Sequence, residues 1–106
     1  MKQEQRQMVF DVWGYNSVIA QDMAHMKIPA TEIHHARIHN TKWSRKKYPL
    51  FINSVFNLKP VCHSFHMMNP SWGKWSEKRV KTVEDGFKRH PNHARMFNGG
   101  NIWTKL

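Results

Sequence analysis

Two adjacent imidazoles, His34 and His35, follow the carboxylate of Glu32 in the stretch Thr31-Glu32-Ile33-His34-His35. An amide and a further imidazole come in Asn57-Leu58-Lys59-Pro60-Val61-Cys62-His63-Ser64-Phe65-His66, with Asn57 and His66 nine positions apart. Imidazole has an ordinary pKa of about 6.5, so it accepts a proton at neutral pH, and it is also a frequent metal ligand. Standing alone, the His-His pair reads better as two surface histidines. With Asn57 and His66 also present, a shared site is the stronger reading.

The charge balance indicates what such a site would meet. Seventeen Lys plus Arg against seven Asp plus Glu give +10 with neutral His and a pI near 10.2. An excess of this size suits a polyanion, because each phosphate neutralised releases condensed counterions; the alternative is a basic surface with no partner. The cations concentrate in residues 37–49, where Arg37, Lys42, Arg45, Lys46 and Lys47 alternate with His39, Trp43 and Tyr48. The cations there suit DNA backbone contact, while the two aromatics either stack on sugars or bases or pin a loop to the domain.

The elements that must position these residues are legible in outline. Residues 3–13 carry Met8, Val9, Val12 and Trp13 at helical spacing, with Gly14 as a stop. A second short helix is expected from Ser17 as N-cap through Ile19, Met23 and Met26, ending before Pro29. A strand is predicted over 32–37, and 50–56 is an apolar run expected to pack beneath the strands. Asn57 opens the second strand, with Leu58 and Val61 facing inward, and a helix bearing His63 and His66 runs from Val61 or Cys62 to Asn69-Pro70. The last helix spans 76–89, capped by Ser76, with Val80, Val83 and Phe87 as its buried stripe and Pro91 as its end. The tail from Asn98 reads as turn, with Trp103 docking.

The stretches EIHH and NLKPVCHSFH resemble the HNH endonuclease family over residues 31–69, and more weakly on through Asn69-Pro70-Ser71-Trp72-Gly73-Lys74. The resemblance implies an α+β fold with a ββα-metal core, a two-stranded hairpin plus a metal-binding helix, flanked by further helices. One domain over 1–106 follows, with the core at 31–69 and flanking helices at 3–13 and 76–89. It implies His34 and His66 as metal ligands, His35 as general base and Asn57 as the group orienting that base. Glu32 matches the acidic position of colicin-type members, and His63 is an accessory or DNA-contacting group. The cofactor implied is one divalent ion, with Mg, Mn, Ni, Co and Zn all open. DNA is the implied partner, with other phage DNA-processing proteins left open, since small free-standing members are common in phage genomes.

The chain departs from that family in its cysteines. Many members hold a structural zinc between two Cys-x-x-Cys pairs, whereas Cys62 is the single cysteine and Phe65 stands where the next would fall. That excludes an intramolecular disulfide and a four-cysteine zinc site. Five Trp, six Phe and seven Met are available to do its work by packing. His25, without a Cys partner, reads as a surface residue. No run of about twenty apolar residues and no leader pattern is present, so a cytoplasmic protein with no membrane partner is expected. The expected activity is metal-dependent phosphodiester hydrolysis. A nucleic-acid-binding module of the same fold that has lost cleavage, and a histidine-rich structural metal protein, are the alternatives.

Overall fold

The structure, a computed structural model, describes residues 3–91; the expectations for the tail from Asn98 and for Trp103 lie outside them. It is a small α+β arrangement of seven elements around one two-stranded antiparallel sheet. In chain order these are α1 (Gln3–Trp13), α2 (Val18–Ala24), β1 (Glu32–His35), α3 (Lys42–Lys47), β2 (Leu58–Val61), α4 (His63–Met68) and α5 (Glu77–Arg89). Among the described residues no helix is long and apolar enough to cross a membrane.

The first two helices end for reasons visible in their backbones. Gly14 adopts φ +86, and its N–H bonds the Phe10 carbonyl at 2.7 Å, closing α1. Ser17 caps α2 by accepting from Ala20 N, and its buried Oγ also accepts from Cys62 N at 2.9 Å, which ties α2 to the junction of β2 and α4. His25 ends α2 in the left-handed conformation, φ 52, so the helix stops two residues short of the expected Met26. Of the α1 stripe only Val9 is fully buried. Polar side chains complete its docking: Gln5 Nε2 donates to Asn53 O at 3.0 Å, and Trp13 Nε1 to Val55 O at 3.0 Å.

β1 and β2 pair with Glu32 opposite Val61, Ile33 opposite Pro60, His34 opposite Lys59 and His35 opposite Leu58. They are not joined by a tight hairpin. Residues 36–57 lie between them and contain α3, where a loop was expected, and the buried run that follows it. α3 forms because Thr41 and Ser44 make a reciprocal capping box: Thr41 Oγ1 accepts from Ser44 N at 3.1 Å, and Ser44 Oγ accepts from Thr41 N at 2.9 Å. The segment after α3 buries Tyr48, Leu50, Phe51, Ile52 and Val55 in successive turns.

α5 covers that segment. Tyr48, Leu50, Phe51, Val80 and Phe87 form one core cluster, joined at its margin by Ile38, Phe56, Trp75 and Val83. Glu84 lies on the same face and is 1 % exposed. Its carboxyl oxygens accept from Phe51 N at 2.7 Å and Leu50 N at 3.3 Å, so an acidic side chain closes the turn that the core needs. Burial pushes the Glu84 carboxyl above its ordinary value, against the opposing pull of those two N–H groups.

Candidate functional site

His34, His35, His39 and His66 line one open pocket of about 380 Å3, together with Ile33, Asn40 and Pro70. The two adjacent strand residues therefore both reach it, and α4 supplies the fourth ring. The rings of His34 and His66 stand 4.1 Å apart between centroids, and His34 and His39 stand 5.8 Å apart.

Each ring is held differently. His66 donates Nδ1–H to Glu32 Oε1 at 2.5 Å, which leaves its Nε2 lone pair free of that bond. This hydrogen bond is the largest cause holding the Glu32 carboxyl below its usual range, with burial opposing it. His63, mostly exposed, approaches the other carboxylate oxygen at 3.4 Å. Glu32 thus sits behind the α4 histidines as their orienting acid. His34 Nε2 is buried with no hydrogen-bond partner. Desolvation, then the fields of His66 and His39, push its pKa down to about 4, so the ring is neutral at neutral pH.

His35 Nε2 donates to Asn53 Oδ1 at 3.1 Å, which leaves the Nδ1 lone pair as the proton acceptor. Burial holds this ring below the ordinary imidazole value, and the Asn53 bond partly offsets it. The amide hydrogen-bonded to His35 is Asn53, where the resemblance implied Asn57 beside that ring. Asn57 is fully buried and spends its side chain on backbone. Its Oδ1 accepts from Arg37 N and Ile38 N, both at 2.8 Å, while Nδ2 donates to Ile52 O at 2.7 Å and Ile38 O at 3.1 Å. It fixes the chain just after β1 to the carbonyl beside Asn53. Gln5, reaching Asn53 O from α1, braces the same residue.

The cations predicted to face DNA divide into two groups. Arg37 belongs to the fold: Nη1 donates to Gly73 O at 2.7 Å and the guanidinium lies 5.1 Å from the Trp75 ring. Gly73, φ +76, holds a left-handed backbone that favours glycine, and a Cβ there would stand 3.0 Å from Arg37 Nη1, so the guanidinium would have to give way. Lys47 is paired with Glu77 at 2.5 Å. Lys42, Arg45 and Lys46 are exposed on α3, and Arg45 Nη1 bonds Asn40 Oδ1 at 2.8 Å, so the basic helix borders the histidine pocket. Tyr48 is buried and pins the segment as expected, whereas Trp43 remains 54 % exposed.

Asn53, which holds the His35 ring, and His39 and Asn40, which line the pocket, are the site residues that sequence reasoning missed. The interruption of an apolar run by Asn53-Ser54 was the available signal for the first; His39 was hidden among cations. A buried Lys59 on β2, its ammonium 3.2 Å from the Trp13 ring centroid, is equally unexpected. Burial pushes Lys59 down to about 7.

The donor set fits a divalent ion in two respects. A neutral, unpartnered His34 Nε2 has the protonation state a ligand needs, and a carboxylate behind His66 is the usual orienting partner of a metal-bound imidazole. Among the described residues, however, no group of three or more His, Cys, Asp or Glu side chains is arranged as a ligand cluster. Compared with family models, curated proteins and solved structures, the chain matches none.

Proposed function

We propose that this chain is a metal-dependent DNA endonuclease of HNH type, with β1, β2 and α4 as its ββα core. The observation that carries the reading is the buried, unpartnered Nε2 of His34 beside His66, whose other nitrogen is engaged by Glu32. His34 and His66 would hold one divalent ion, which when bound supplies charge neutralisation at the phosphate and leaving oxygen. His35, kept neutral by burial and turned by Asn53, takes a proton from water through Nδ1. Glu32 orients His66, and Lys42, Arg45 and Lys46 on α3 hold the flanking phosphates.

The test is plasmid nicking or linearisation with each of Mg, Mn, Ni, Co and Zn, paired with calorimetric titration of metal. On this reading His35→Ala lowers cleavage by about 10²- to 10⁴-fold and leaves metal binding intact. His34→Ala weakens metal binding, and excess metal partly restores cutting. Metal binding lost in His35→Ala with full cleavage by His34→Ala would reverse the two roles. The second reading, DNA binding without cleavage by the same fold, rests on the exposed Lys42, Arg45 and Lys46 of α3, which suit phosphate contact whether or not the histidines are active. Binding with no product under any metal would select it.

A further inference from the structure

A second concavity, a groove of about 400 Å3, lies between α3 and the start of α5, and His39 lines both it and the histidine pocket. Its size falls within the roughly 300–1,000 Å3 of sites that take small organic ligands. Trp43 and Trp75 contribute its aromatic walls and Lys74 a cation. Glu77 is the acid of the lining, and its charge is met by Lys47.

The two tryptophans are not equivalent. Trp75 is committed: Arg79 lies 4.1 Å and Arg37 5.1 Å from its ring, and Phe51 packs against it at 5.6 Å. Trp43 is not. Lys47 Nζ approaches its ring at 4.8 Å and Tyr48 meets it edge-on at 6.0 Å, yet more than half of it is solvent-exposed at the groove. An exposed indole on a basic helix, bordering a groove with cations around it, suits a flat ring attached to an anionic backbone. Aromatic faces with nearby cations are what single-stranded nucleic acid uses, because every base has a π-face to stack.

We infer that this groove receives an unpaired nucleobase of a bound strand, stacked on Trp43, with the adjoining phosphate carried past His39 to the histidine pocket. The proximity of that phosphate to chemistry rests on the proposed nuclease reading. The substrate class then shifts from plain duplex to DNA with a single-stranded or opened segment.

The experiment is fluorescence anisotropy of a dye-labelled single-stranded oligonucleotide and of the matching blunt duplex, with the full chain in chelator. Trp43→Ala should weaken single-strand binding by about 5- to 140-fold, the range set by losing one stack of about 1–3 kcal/mol at 1.4 kcal/mol per tenfold. Duplex binding should stay at the wild-type value, and Trp43→Phe, which keeps an aromatic face, should retain most single-strand affinity. Equal losses on both substrates, an unchanged single-strand affinity, or a wild type that does not bind single strands would each overturn the inference. Plasmid cleavage with metal is scored separately. A selective Trp43→Ala defect with no cleavage by wild type keeps the groove and refutes the nuclease; cleavage with no such defect does the reverse.

Discussion

Replacing Asn57 with Ala should unfold more than it inactivates. The substitution removes two acceptor and two donor bonds at once: those from Arg37 N and Ile38 N, and those to Ile38 O and Ile52 O. The Ile52 carbonyl bond is fully buried, and a buried group left without a partner costs about 1–3 kcal/mol. The other three are half-buried, where water partly substitutes and a net loss of about 0.5–1.5 kcal/mol each is the ordinary figure. Because neighbouring losses are not additive, the total is set at roughly 3–5 kcal/mol. That is a large share of the about 5–15 kcal/mol that holds a domain folded. Asn53→Ala deletes only the His35 contact of a half-buried side chain and should cost less than about 1 kcal/mol. Urea denaturation followed by circular dichroism reads both. On the proposed nuclease reading, Asn53→Ala is the variant that stays folded and cuts poorly. An Asn57→Ala protein within about 1 kcal/mol of wild type would refute the assignment of that amide to the backbone.

Three further outcomes are expected. Raising salt from about 50 to about 200 mM should weaken DNA binding on the order of a thousandfold, read by anisotropy; a flat response would mean that the α3 cations do not meet phosphates. Gly86→Ala should stabilise the chain by about 1 kcal/mol in chemical denaturation, since Gly86 lies inside α5 and an added Cβ meets nothing within 4 Å. Glu84 has a folded pKa above its unfolded one, so the folded state holds the proton more tightly, and the stability this contributes is lost as pH rises from the ordinary carboxyl value through the raised one. Denaturation of wild type and Glu84→Gln across that window should show wild type losing ground as pH rises. A gap that widens in its favour would mean that the N–H groups of Leu50 and Phe51 outweigh burial.

What the sequence determined by itself is what is written locally. Ser17, Ser76, Gly14 and the periodic apolar residues of α5 mark helix ends and a buried face because caps and 3.6-residue spacing act within a few positions. Both strands and the helix carrying His66 were legible in place for the same reason, though β1 ends at His35 instead of Arg37, β2 begins at Leu58 instead of Asn57, and α4 begins at His63 instead of Val61 or Cys62. α3 was not, because its signal is a Thr41–Ser44 capping box inside a run of cations that reads as a loop. Tertiary structure alone decided which partner each polar group took. Asn53 rather than Asn57 reaches His35 across 18 positions; Glu84 turns inward because the backbone of Leu50 and Phe51, over 30 positions away, offers two N–H groups; Arg37 leaves the surface to hold Gly73 across 36. Hydrogen bonding by a side chain is nearly indifferent to sequence separation. Residue type announces that an amide or a guanidinium needs a partner, and only the packed chain supplies its identity.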